Sequence, residues 1–302
     1  MSKADNLLNQ LGFTKRKPTT QNQRVNGENT ARITSKYTVV VDKTGGDGLE
    51  IHVAENAPFE VIDLPVLITK SGLQEEVKND IFIGTGANVI ILAGCGICAD
   101  GCDVTMHRGE HNFLVGAGAK LRYIERHIGT GDSTEKIIHP TSNIKLEHDA
   151  EMEIITSQLG GVDKSKRVQE IALAHDSKLV ITERIFTDKA QVTHSSYFAN
   201  IRGNNASLKI SSRSVATENS IQKFVSNIIG STTCFAHVEC DAIIKDRARV
   251  NAIPQVFAKH PDAQLIHEAS IGKIAGEQLD KLMSLGLSTK EAERIIINGF
   301  LK

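Results

Sequence analysis

From Tyr37 onward the chain is written in short runs that alternate apolar with polar residues and stop at Gly, Asn or Asp; residues 37–41, 49–53, 59–62, 80–83 and 89–92 are the first of them. Alternation with period two lets a run bury one face and wet the other, which predicts half-buried β-strands. The middle of the chain then repeats one device: a turn, a small residue, a variable position and an apolar residue. It stands at Gly86-Ala87-Asn88-Val89, Gly118-Ala119-Lys120-Leu121, Asp149-Ala150-Glu151-Met152, Asp176-Ser177-Lys178-Leu179 and Asn205-Ala206-Ser207-Leu208, and more loosely at Thr233, Ala248 and Ala263. Between the small residues the steps are 32, 31, 27, 29, 27, 15 and 15. Two units of the shorter step make one of the longer, as a strand-turn-strand module gives. Period and alternation together predict a mainly β solenoid, a parallel β-helix, over residues 37–270. A β-sandwich is the competitor, but the Asn-Gly and Asp-Gly hairpin turns it needs are scarce.

The pattern changes at both ends. Residues 3–12 suit a short helix, whereas 14–35 are polar and almost without periodicity, which reads as an N-terminal arm or mobile linker within residues 1–36. Past Ser270 the texture is helical: residues 276–284 run to Gly286, and Ser288-Thr289-Lys290-Glu291 forms a capping box before a second helix. Leu279, Leu282, Met283, Leu287, Ile295, Ile296 and Phe300 give this region, 271–302, an apolar face. It suits a cap on the solenoid, a docking surface for a partner, or both.

Composition narrows the picture. Tryptophan is absent and aromatics are 4%, so the core is built from small and β-branched side chains, which suits narrow β-stacking. With 35 basic against 36 acidic residues there is no global field to hold nucleic acid or an anionic membrane. No apolar stretch approaches the ~18 residues of a membrane span, so the reading is a cytoplasmic protein. Five cysteines, an odd number, argue for reduced thiols rather than a disulfide framework.

Three of those cysteines share one glycine-rich stretch, Gly94-Cys95-Gly96-Ile97-Cys98-Ala99-Asp100-Gly101-Cys102. Thiolates select zinc, copper(I) and iron-sulfur clusters, so Cys95, Cys98 and Cys102 are candidate metal or sulfur ligands on a loop, with a fourth ligand supplied elsewhere or one position open. The bland alternative is a set of free thiols. His107 and His111 follow closely as second-choice ligands, although Gly109 between them and the β-like flanks argue against a zincin helix. Cys234, a further second-choice ligand or sulfur relay whose plainer reading is a core cysteine, stands six residues before Cys240, an even step that puts both on one face of an unbroken strand. Glu125, Glu153 and Glu183 read as acidic residues scattered at strand ends, without the carboxylate pair that a β-helix carbohydrate-active enzyme would need. No G-x-x-x-x-G-K-[ST] phosphate loop is present, so ATP hydrolysis is not expected of this chain.

The C-terminal third carries a resemblance. His267-Glu268-Ala269-Ser270-Ile271-Gly272-Lys273-Ile274, then Glu277-Gln278-Leu279, Ser284-Leu285-Gly286-Leu287, Glu291-Ala292 and Ile297-Asn298-Gly299-Phe300, resembles the C-terminal signature of the SufB/SufD family of iron-sulfur cluster assembly scaffolds. Cys240-Asp241-Ala242-Ile243-Ile244 and Ala252-Ile253-Pro254 resemble the SufB version of the preceding region. The resemblance implies a right-handed parallel β-helix with a helical C-terminal region, and a non-enzymatic scaffold role. It puts Cys240 on the cysteine used for nascent sulfur or cluster, and His267 and Glu268 on a His-Glu pair that helps bind iron at a dimer interface. The cargo is then a transient iron-sulfur cluster, the four-iron four-sulfur type favoured, built from iron and sulfur. The implied partners are a SufC-like ABC ATPase on the helical end, around Gly272, Leu279, Leu282, Met283, Gly286, Ile295 and Phe300; a second copy as homodimer, or a SufD-like chain as heterodimer; and apo iron-sulfur proteins as recipients. The chain is most similar to short family members of anaerobic prokaryotes that serve as a single scaffold. A SufD-like supporting subunit without its own cluster is the alternative within the family.

Overall fold

A computed structural model describes residues 2–15, 17–44, 47–132 and 135–302. Met1 and Arg16, both inside the expected arm, lie outside them. Helix α1 (Lys3–Leu11) is followed by a hairpin, β1 (Thr20–Val25) and β2 (Glu28–Ile33), and a second hairpin, β3 (Thr38–Asp42) and β4 (Leu49–Val53). The solenoid continues through β5 (Glu60–Ile68), β6 (Gln74–Ile83), β7 (Asn88–Cys98), β8 (Val104–Val115), β9 (Lys120–Thr130), β10 (Glu135–Leu146) and β11 (Glu151–Leu159). It runs on through β12 (Lys164–Leu173), β13 (Lys178–Thr187), β14 (Val192–Ile201), β15 (Ala206–Ala216), β16 (Ile221–Gly230), β17 (Cys234–Ile244), β18 (Arg249–Ala258) and β19 (Ala263–Gly272). Helices α2 (Gly276–Met283) and α3 (Thr289–Phe300) close the chain, α3 opening on the expected capping box of Ser288 and Glu291.

Odd-numbered strands from β5 to β19 stack in parallel as one sheet and even-numbered strands from β4 to β18 as the other, giving about eight coils around one core. The recurring turn residue is what makes this possible. Gly86, Gly118, Asp149, Asp176 and Asn205 all have φ between 56° and 66°, the left-handed region that Gly, Asn and Asp tolerate best. The next residue is small because it is sealed inside: Ala87, Ala119, Ala150, Ser177 and Ala206 are all buried. Backbone bonds tie each corner to the next coil, as from Gly118 N to His148 O at 3.0 Å and from Asp176 N to Asn204 O at 2.9 Å.

Residues 14–35 correct the linker reading. β1 pairs in parallel with β5 and antiparallel with β2, extending the first sheet. The strand escaped the hydrophobic pattern because its buried residues are polar: Thr20, Asn22 and Arg24 face the interior, where Arg24 donates to Glu75. At this end both sheets finish in short antiparallel hairpins, linked by Arg32 Nη2 to Asp42 Oδ1 at 2.6 Å. The other end is different. Among the described residues no further strand pairs with the outer edges of β18 and β19, and their residues are largely exposed, Phe257 at 50% and Ile266 at 42%.

Candidate functional site

The parallel register sorts the interior into rows. Ala93, Glu125, Thr156, Glu183, Ser212, Cys240 and Ala269 are successive partners on β7, β9, β11, β13, β15, β17 and β19. The neighbouring row reads Ile91, Tyr123, Ile154, Ile181, Ile210, Val238 and His267. His267 thus ends an otherwise apolar or aromatic row at the open end of the solenoid, and Cys240 lies one strand inward in the largely polar row, next to its last member Ala269. They are diagonal neighbours on one face, roughly 7–8 Å apart by sheet geometry and within reach of long side chains. Cys234 is also on β17 and also buried, as the even step predicts.

Glu268 points the other way. Adjacent residues of a strand face opposite sides, so the carboxylate sits on the outer surface beside its register partner Glu239, with His237 Nε2 3.6 Å from its Oε2. There Asp241 is held above the usual carboxylate range by burial and by its hydrogen bond with Glu239. Within one chain, then, Cys240 and His267 share a face and Glu268 does not join them. Among the described residues, no group of three or more His, Cys, Asp and Glu side chains is arranged to hold a metal ion.

Cys240 is 2% exposed, and burial, helped by the Glu183 charge, pushes its thiol up to about 12. It is therefore held as a thiol, and capture of iron or sulfur there must release a proton. Burial lowers the pKa of His267, so its imidazole is favoured in the neutral, metal-ligating form.

Residues 94–98 are not a loop. They belong to β7, where Cys95 faces the core with Ile97 and Ile138, and Cys98 faces out toward α1. Cys102, in the turn that follows, is exposed. The odd step between Cys95 and Cys98 sends the two thiols to opposite faces of the sheet. His107 and His111 lie on β8 and line an internal cavity of about 30 Å³ together with Arg24, Cys95, Glu125 and His127. His107 Nδ1 is 3.1 Å from Glu75 Oε2, and Asn79 Nδ2 is 3.3 Å from His111 Nδ1.

The same interior holds residues to which no pairing was assigned from sequence. Glu125 and Glu183 are not at strand ends; they point inward in one row, two strands apart with Thr156 between them, and Arg167 from the opposite sheet donates to Glu125 and lies 3.6 Å from Glu183. Burial would raise Glu125, but Arg167 and nearby imidazoles outweigh it and hold the carboxyl at about 2, while burial drives His127 down to about 3. Ser195 and Ser212 donate to the two oxygens of Glu183 at 2.6 and 2.8 Å. Register across coils is the signal that finds this group; spacing within a strand does not.

The helical end packs on the outer face of the first sheet, with Lys245 Nζ 2.5 Å from Glu293 Oε2 and Arg184 donating to the Lys302 carbonyl. Between α3 and the sheet lies a groove of about 880 Å³, lined by Leu159, Phe186, Ile297 and Leu301 among others. Met283 and Ile295 are exposed, Leu279, Leu282 and Phe300 half-buried; Gly272 ends β19, and Gly286 has φ 92° in the turn before α3. No helix among the described residues is long and apolar enough to cross a membrane.

A family model described as SUF system FeS cluster assembly, SufBD core domain, matches residues 67–300, most of the chain. The chain belongs to the SufBD family. Among its relatives, a SufBD family iron-sulfur cluster assembly protein of Methanocaldococcus jannaschii is 25% identical over 98% of this chain and 96% of its own length. A family protein of Archaeoglobus fulgidus is 28% identical over 88% of this chain and 71% of its own length. One from Pyrococcus horikoshii reaches 43% identity, over 22% of this chain and 15% of its own length.

Proposed function

We propose that this SufBD family chain is a scaffold on which a nascent iron-sulfur cluster is built at the open end of the solenoid, across an interface between two copies. The observation that carries the reading is the juxtaposition of a buried thiol, Cys240, and a neutral imidazole, His267, on the inner face beside two unpaired strand edges, β18 and β19. An unpaired edge of ten residues is a ready surface for a second chain. A two-fold arrangement brings two copies of each ligand together, with Glu268 contributed from the outer face. Thiolate, imidazole and carboxylate form a mixed donor set that holds iron without the permanence of a four-cysteine site. Cluster is cargo here, received and passed to apo iron-sulfur proteins in the cytoplasm. A SufC-like ABC ATPase docks on α2 and α3 and its hydrolysis cycle opens and closes the interface. Cys95, Cys98 and Cys102 serve as accessory thiols.

Anaerobic reconstitution with iron and sulfide tests the reading. The native protein is expected to develop a thiolate-to-iron charge-transfer band, and Cys240→Ser combined with Glu268→Ala to lose it. Unchanged iron and sulfide content in that variant overturns the assignment.

A further inference from the structure

Along the outward side of β7 stand Leu92, Gly94, Gly96 and Cys98, and α1 lies across them. Two of these positions lack side chains: at Gly94 a Cβ would come within 2.7 Å of the Arg126 backbone carbonyl, and at Gly96 the helix needs the room. A Cβ built on Gly96 comes within 2.9 Å of Leu7 Cδ2 and 3.2 Å of Leu11 Cδ1, and meets nothing nearer than α1. Leu7 and Leu11 are each 1% exposed; with Phe13 they pack on Leu67 and Leu92, and Cys98 lies against the same cluster. The helix is fastened at its two ends. Arg126 Nη1 donates to the Leu11 carbonyl at 2.7 Å, and Lys3 pairs with Asp100, two residues beyond Cys98.

This attachment is separable from the solenoid. No strand pairs with α1, and the coils beneath it are complete without it. Nine residues are too few to stay helical in water unaided, so lifting the helix and melting it are one event. Elements held by a few side chains on an otherwise finished scaffold open at much lower free energy than the scaffold unfolds. We propose that α1 is a displaceable lid on the outer face of the first sheet, and that its docking on the Gly94–Gly96 floor controls access of solvent reagents to the Cys98 thiol. The proposal does not depend on cluster assembly at Cys240 or on the accessory role given to Cys98: it concerns only how α1 covers a thiol on the opposite face and toward the opposite end from Cys240.

The test is pulse alkylation of the folded, reduced full-length chain with N-ethylmaleimide, the extent at each cysteine read by peptide mass spectrometry. In the native chain Cys98 is expected to react at least about tenfold more slowly than exposed Cys102. Gly96→Ala pushes first against Leu7 and Leu11, and Leu7→Asp removes an anchor. Each is expected to raise the Cys98 rate by about tenfold or more while leaving Cys102 unchanged and core-facing Cys95 protected. Three results overturn the lid: a native Cys98 as fast as Cys102, a Cys98 rate unmoved by both variants, or Cys95 becoming reactive in step with Cys98. The last would make α1 part of the coil rather than a cover on it.

Discussion

Arg167→Met removes the cation that spans the interior between the two sheets. Arg167 is 5% exposed and Glu125 is 2% exposed, so the ion pair has exchanged its water for its partner, and deleting one member strands the other. Breaking a buried pair in this way costs about 3–5 kcal/mol. Glu183 keeps its two serine donors and adds little to the loss. With an unfolding entropy of about 2 cal/mol/K per residue, a chain of 302 residues converts each kcal/mol into roughly 1.6 °C, so the midpoint should fall by roughly 5–8 °C. Thermal and urea melts of the single variant and of Arg167→Met with Glu125→Gln supply the measurement, and the double variant should recover at least about half the loss, because no unpaired charge is left inside. The pH dependence has a definite sign. In the native chain Glu125 stays ionised down to about 2; without Arg167, burial raises it, so the variant takes up a proton that the native protein does not. The deficit should therefore shrink as pH falls from 8 to 5, by at most about 1.4 kcal/mol per pH unit. A single variant within about 1 kcal/mol of native at pH 8, or a double variant less stable than the single, would refute the reasoning.

Two further outcomes follow from the coils. The Cys240 thiol titrates at about 12 when folded against 9.0 for a free thiol, so the folded state holds its proton longer; that stability is complete below pH 9 and is lost as pH climbs from 9 toward 12. Between pH 8 and 10.5 the native chain should lose about 1–2 kcal/mol more than Cys240→Ala in urea titrations, and equal losses would show that the thiol is not desolvated. Lys189 adopts φ 54° at a corner where a side chain is strained. Lys189→Gly should raise the urea midpoint, by up to about 1 kcal/mol of stability, and a lower midpoint would show that the lysine side chain does more than occupy the turn.

The repeat was legible because each coil restates the same steric demand: a left-handed corner, then a residue small enough to be enclosed. Strand alternation was legible for a related reason, since apolar residues such as Leu121 and Tyr123 face in and Arg122 faces out. What escaped was polar residues facing inward. Thr20, Asn22 and Arg24 make β1 look like a linker, and Glu125 and Glu183 look scattered until parallel register sets them in one row. The candidate site was legible one residue at a time. His267 and Glu268 are neighbours in sequence and read as a pair, yet a strand separates such neighbours by construction. Cys95, Cys98 and Cys102 look convergent only if their glycines imply a loop; Gly94 and Gly96 instead lie within β7, Gly94 close to the Arg126 backbone and Gly96 clearing space for α1.

The unlike ends of the solenoid limit what can be built from it. Long parallel edges are free at β18 and β19, whereas the opposite end finishes in antiparallel hairpins five or six residues to a strand, with Arg32 and Asp42 joined across them. A free end laid on a hairpin end finds neither matching strand length nor matching direction. Growth head to tail is therefore disfavoured by the mismatch in strand length and direction, which counts against a fibre of stacked coils, the standing hazard of an exposed β-edge. The proposed pairing of free end with free end is different in kind, because such a contact uses up both edges and terminates at two.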